Sequence, residues 1–243
     1  MSRKLLTIKY IGTNYHGWQV QKNGVSVQQK ICEALNKLYS HEVNATGCSR
    51  TDSGVHALKY CLHFDDDKNF DNSTIVSALN SYLPNDIAVV FCKSVNQDFH
   101  ARYSVKQKTY IYKLYTGVRD PFLEGFAYHY KGTLDIDKIN EFAKHLTGTH
   151  DFAAFCSSKT TVKSTVRTIF EASASKKGNI TTFKFSANGF LYNMVRILVG
   201  TLIYVSEGKI DVLDAEKIIA SRERKNAGKT APAYGLYLYD VKY

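Results

Sequence analysis

The sequence predicts an α/β (α+β) protein of two related halves, each a mixed or antiparallel sheet with helices on one face. Three observations predict it. The apolar period alternates between two and 3.6 along the whole chain. A strand, helix, strand, helix, strand order read over residues 1 to 105 gives way to a similar alternation over residues 106 to 243. Finally, 243 residues with 44% hydrophobic and 13% aromatic content can bury a core in each half.

The elements follow in chain order. Residues 4 to 11 (KLLTIKYI) read as a strand. Ser26 then precedes VQQKICEALNKLYS, a capped helix in which Val27, Ile31, Ala34, Leu35 and Leu38 form one stripe that should pack on a sheet. A strand over about 57 to 64 (ALKYCLHF) leads to a helix from Asp71 through Leu83, stopped by Pro84, and to a strand over about 87 to 95. In the second half, strands fall near 108 to 115, 166 to 174 and 180 to 187, helices near 135 to 147 and 190 to 206, and a last strand at 236 to 242.

Charge narrows the function classes. The chain holds 32 Lys+Arg against 22 Asp+Glu, a formal net charge of +10. Residues 1 to 105 carry 11 basic and 9 acidic side chains, leaving 21 and 13 for residues 106 to 243. The excess in the second half points to a polyanion, because Lys and Arg gain affinity when they displace counterions from phosphates. The opening residues MSRKLLTIKYIG lack the apolar stretch of a signal peptide, and no long uncharged apolar run exists, so a cytoplasmic protein with no membrane span is expected. Five scattered cysteines with no CxxC pair signal neither a disulfide framework nor a zinc module, and the histidines show no HxxxH pairing. Gly228, Lys229 and Thr230 look like the end of a phosphate loop, but Glu223 stands where its first Gly would be and no strand leads in.

Three segments concentrate the chemistry. GCSRTDSGVHA, Gly47 to Ala57, is a polar loop whose plainer reading is a surface connection; Arg50 beside Asp52, with His56 nearby, argues for a carboxylate held ionised as nucleophile or base. Arg196 stands in FLYNMVRILVGTLIYV, an otherwise apolar helix. It must snorkel to solvent or meet an anion such as Asp52, Asp86, Glu171 or a phosphate. In FHARYSVKQKTYIYKLY, Arg102, Lys106, Lys108 and Lys113 interleave with Tyr103, Tyr110, Tyr112 and Tyr115. That is either a strand with one wet face or a groove where cations hold phosphates and a ring stacks on a base.

These segments, with YIGTNYHGWQVQ near the start and APAYGLYLYDVKY at the end, occur in an order that resembles the tRNA pseudouridine synthase A family over nearly the whole chain. The family's GRTDAGVHA pattern appears here with Ser49 and Ser53 at two small-residue positions, and Lys108 stands where Arg is common. The resemblance implies the pseudouridine synthase fold, Asp52 as catalytic aspartate, Arg196 as its partner and Tyr110 stacked near the target uracil. It also implies a homodimer gripping one tRNA and modifying uridines 38 to 40 of the anticodon stem and loop, with no metal or cofactor. Arg50 joins the catalytic set; His56, Arg102 and Lys108 join the substrate-binding set. The alternatives are a non-catalytic RNA-binding protein, a pseudouridine synthase for another RNA, or a small-molecule hydrolase using His56 and Asp52, which lacks an oriented Ser or Cys nucleophile.

Overall fold

The computed structural model describes residues 2–157 and 162–243, an α/β arrangement in two compact units. The first unit comprises Met1–Lys106 and Tyr237–Tyr243; the second comprises Gln107–Leu236.

In the first unit the strands β1 (Ser2–Tyr10), β2 (Thr46–Gly47), β3 (His56–Asp66) and β4 (Ile87–Val95) are joined by β10 (Leu236–Lys242). β1 is antiparallel to both β3 and β4, so it lies between them, and β10 runs parallel to β3 with Tyr237 opposite His56. The last strand therefore leaves the half in which the sequence placed it. Its partner is set by a pairing across 181 residues, seen also in the Lys59 to Asp240 ion pair, and no local period encodes such a choice. The helices are α1 (Val27–Tyr39) and α2 (Asn72–Tyr82); α2 packs on β4 and α1 on α2. Ser26 caps α1, its hydroxyl accepting the Gln29 N–H at 3.2 Å. The buried stripe is Val27, Ile31, Ala34, Leu35 and Tyr39. Tyr39 supplants Leu38 because its hydroxyl donates to buried Asp66 at 3.0 Å while its ring meets the edges of Phe64 and Phe70.

The second unit is built on β5 (Gln107–Tyr115), β7 (Gly148–Asp151), β8 (Val166–Lys177) and β9 (Ile180–Ala187), antiparallel in the order β5-β9-β8-β7, with β6 (Tyr128–His129) parallel to β5. Helix α3 (Ile136–His145) packs on β8 and on α4 (Met194–Ser206), and α5 (Ala215–Ser221) touches α3. β5 has no wet face over its middle: Thr109, Tyr110, Ile111, Tyr112 and Leu114 are all buried. Helix α4 starts four residues later than the apolar run suggests. Asn193 sits at φ 60, a left-handed conformation that an α-helix interior does not accommodate, so the helix opens after it.

Among the described residues no helix is long and apolar enough to cross a membrane, and no group of three or more His, Cys, Asp or Glu is placed to hold a metal ion.

Candidate active site

The loop between β2 and β3 is fixed almost residue by residue. Cys48 is buried and its N–H donates to the Cys61 carbonyl at 2.8 Å; the Tyr60 hydroxyl donates to the Ser49 carbonyl. Thr51 is held twice, through a 3.0 Å hydroxyl bond with Tyr10 and through its carbonyl, which accepts the Trp18 N–H at 3.4 Å. Ser53 and Gly54 both donate to the Tyr15 carbonyl at 3.2 Å, and Tyr15 is itself tied to Asp86 at 2.6 Å. A tight turn closes as the Val55 N–H donates to the Asp52 carbonyl at 3.2 Å. Its third residue, Gly54, has φ +78, which a residue with a β-carbon adopts only under strain. Asp52 is thus a partly exposed carboxylate on a backbone pinned on both sides. Fixing the backbone before substrate arrives is what a nucleophile or base requires.

The companions of Asp52 in that loop differ from the expectation. The Arg50 side chain is exposed, and among the described residues its guanidinium makes no hydrogen bond or ion pair, so it does not hold Asp52. The reason is ordinary: a solvated guanidinium gains little from a surface ion pair. His56 is 1% exposed, its Nδ1 accepts the Gly12 N–H at 3.0 Å and its ring stacks on Tyr237 at 4.7 Å. The ring is thus enclosed between Gly12 of the loop after β1 and Tyr237 of β10. Arg102 is exposed on the turn after β4.

In the second unit, Lys108 and Tyr110 project from the same side of β5, as residues two apart on a strand must. Lys108 is half-buried; Tyr110 is 6% exposed and meets the Phe190 ring edge-on at 5.2 Å. Tyr112, next on that side, is fully buried. Its hydroxyl donates to the Pro232 carbonyl at 2.9 Å, and burial holds its phenol far above the ordinary range. It stays protonated and cannot serve as a base.

Arg196 lies in the first turn of α4 and does not simply snorkel. Its Nε donates to the Ala231 carbonyl at 2.7 Å and one terminal nitrogen donates to Asn193 Oδ1 at 2.8 Å, while its own carbonyl accepts the Ala231 N–H at 3.1 Å. Asn193 is anchored in turn, donating to Ser157 Oγ at 2.9 Å. Asn193 and Ala231 escaped the sequence reading. The three-residue spacing from Asn193 to Arg196 was the one available signal, since such residues are neighbours at a helix start. Asp52 and Arg50 thus share one loop of the first unit and His56 opens the strand that follows it, with Arg102 also in that unit. Lys108, Tyr110 and Arg196 belong to the second.

Residues 6–104 and 142–243 match a family described as tRNA pseudouridine synthase. Curated relatives are similar from end to end. The tRNA pseudouridine synthase A of Acetivibrio thermocellus is 45% identical over 239 residues, 98% of each chain. That of Ruminiclostridium cellulolyticum is 44% identical over 245 residues and that of a Thermoanaerobacter species 43% over 244, each spanning 100% of both chains.

Proposed function

The chain belongs to the tRNA pseudouridine synthase family, and from that membership we propose that it isomerises uridines 38 to 40 of the tRNA anticodon stem and loop, with Asp52 as the catalytic carboxylate. It is an isomerase of tRNA uridine. The observation that carries the assignment of Asp52 is the pinned loop, which presents one carboxylate while Thr51 and Val55 on either side are fixed by hydrogen bonds.

The reaction breaks the bond from C1′ to N1, turns the uracil and joins C5 to C1′. A proton leaves C5 and N1 gains one, so atoms and electrons balance within the nucleotide. Asp52 acts either by attacking C1′, as glycosidase carboxylates do, or by removing the 2′ proton to give a glycal. Tyr110 stacks near the target uracil or, with a water, accepts the C5 proton; Tyr112 is excluded from that task by its burial and its bond to Pro232. Arg196 serves the same reaction, held in one orientation by Ala231 and Asn193. Extruding the base from its stack costs a few kcal/mol, which basic and aromatic contacts offset. The reading includes a cytoplasmic homodimer that grips one tRNA, because 243 residues offer little surface for so large a ligand.

Release of tritium from tRNA carrying 5-labelled uridine tests the assignment. Wild-type protein releases it, and Asp52→Asn lowers the single-turnover rate by about three orders of magnitude or more with tRNA affinity retained. Full activity in Asp52→Asn would remove the carboxylate from the mechanism. Mapping the modified positions in the product tests the choice of uridines 38 to 40.

A further inference from the structure

The turn that follows β4 carries more structure than a connection needs. Five consecutive backbone N–H groups, His100 to Ser104, all have acceptors. His100 donates to Ser104 Oγ at 3.0 Å and Ser104 to the His100 carbonyl at 2.9 Å, closing the turn on itself. Ala101 donates to His63 Nδ1 at 3.1 Å, and Arg102 and Tyr103 both donate to His100 Nδ1, at 3.1 and 3.3 Å. From the other side the Tyr243 hydroxyl donates to the Ala101 carbonyl at 3.0 Å, and Arg3 donates to the carbonyls of Gln97 and Phe99 at 2.6 and 3.0 Å. Ala101 is wholly buried at the centre of this network. Exposed loops ordinarily leave such groups to water, so this one is built to hold a shape.

What that shape presents is an aromatic ring. Tyr103 is 76% exposed, yet it is not loose: its ring stacks on His100 with centroids 4.3 Å apart and planes 29° apart. His100 is backed in turn by His63 at 4.9 Å. The Arg102 guanidinium lies over the Tyr103 ring at 5.7 Å from its centroid, near the outer limit of a cation–π attraction. One face of Tyr103 is therefore covered by His100 and the rest is open to solvent, beside a cation. A ring held this way loses little conformational freedom on binding a planar partner. A base stacked on an aromatic side chain with its phosphate near an Arg is a recurring mode of binding unpaired RNA.

We propose that Tyr103, backed by His100 and flanked by Arg102, is a stacking platform for an unpaired base of the tRNA substrate. The proposal rests on the reading of this protein as a tRNA-modifying enzyme. It assigns to Tyr103 affinity rather than chemistry, and to Arg102 a phosphate contact.

The test uses full-length protein and a tRNA transcript carrying 5-tritiated uridine, with affinity measured at several salt concentrations and single-turnover release measured at saturating RNA. Tyr103→Ala weakens binding about 5- to 150-fold, while the saturated rate stays within about twofold. Tyr103→Phe, which keeps the ring, binds as wild type does. The salt slope is unchanged in both, because the stack is uncharged, whereas Arg102→Gln flattens it by about one unit. Wild-type affinity in Tyr103→Ala overturns the platform, as does a changed oligomeric state in sedimentation, which would make the ring a subunit contact. If wild-type protein binds this RNA through Tyr103 but releases no tritium, the catalytic reading fails and the platform stands. If wild-type protein turns over and Tyr103→Ala binds equally well, the platform fails and the catalytic reading stands.

Discussion

Gly200, in the middle of α4, is the position where helix propensity and tertiary packing make opposite predictions. Propensity alone says that Gly200→Ala stabilises, by about 1 kcal/mol for a helix interior. Packing says otherwise. A β-carbon there would overlap the carbonyl oxygen of Lys229, and a β-carbon on Gly228 would meet the backbone of Gly200 and Thr201. The chain over 228–231 is laid directly on the helix backbone, with the Gly228 N–H on Thr201 Oγ1 at 2.9 Å and Ala231 bonded both ways to Arg196. Backbone cannot rotate aside as a flexible side chain can, so the methyl group must lift the segment. Overpacking costs about 1 to 3 kcal/mol. Loss of the Gly228 bond costs about 1 kcal/mol, and loss of the bond from charged Arg196 about 1.5 to 3 kcal/mol. Packing wins, and Gly200→Ala is expected to destabilise by a net of about 2.5 to 6 kcal/mol, read as a lower urea midpoint. Because the lifted segment carries the acceptor of Arg196 Nε, single-turnover tritium release at saturating tRNA falls by more than tRNA affinity does. A Gly200→Ala protein as stable as wild type would refute the argument, since it would mean that 228–231 is free to move away.

Two further expectations follow from the same geometry. Asn193→Gly keeps the left-handed backbone at φ 60 but deletes the acceptor of the Arg196 guanidinium. Its turnover should drop while KM stays near wild type and the urea midpoint falls with the loss of the Arg196 and Ser157 bonds, whereas Asn193→Ala should lose about 1 kcal/mol more stability through backbone strain; unchanged turnover in Asn193→Gly would show that Ala231 alone orients Arg196. His63 gives a pH signature. Burial, then the Arg3 charge, then His100 push its pKa down from 6.5 to about 4, and its neutral Nδ1 accepts the Ala101 N–H. The unfolded chain therefore binds the proton first, so this contribution is whole above about pH 6.5 and is lost as pH falls towards 4, at most about 3 kcal/mol for a shift of that size. Stability measured from pH 7 to 4.5 should fall in wild type and stay flatter in His63→Asn, whose amide oxygen can accept the same N–H without titrating; parallel curves would acquit His63.

How much of this was legible in the sequence depended on whether the signal was local. The strands over 87–95 and 180–187 lie where alternation placed them, because a pleated strand with one buried face imposes a period of two on its own residues. The start of α4 was misplaced because the apolar run continues through residues whose backbone Asn193 has already turned out of the helix. Partners contributed by distant segments leave no period at all. β10 joins β3 from the far end of the chain, and Ala231 reaches Arg196 across 35 residues. The site divides in the same way. Asp52 stood out because polar turn residues cluster around it, and Arg196 because it is the only charge in an apolar helix. The burial of His56 was not legible because a histidine in a polar segment carries no mark of the Tyr237 ring that β10 stacks on it. The lone Arg is the more instructive case. A charge in an apolar run announces that its hydrogen-bonding needs must be met, and an anion is the most direct way to meet them. The backbone carbonyl of Ala231 and the amide of Asn193 meet part of those needs without neutralising the charge. Neutral acceptors of this kind fix the direction in which a guanidinium points, and no local period in the sequence announces them.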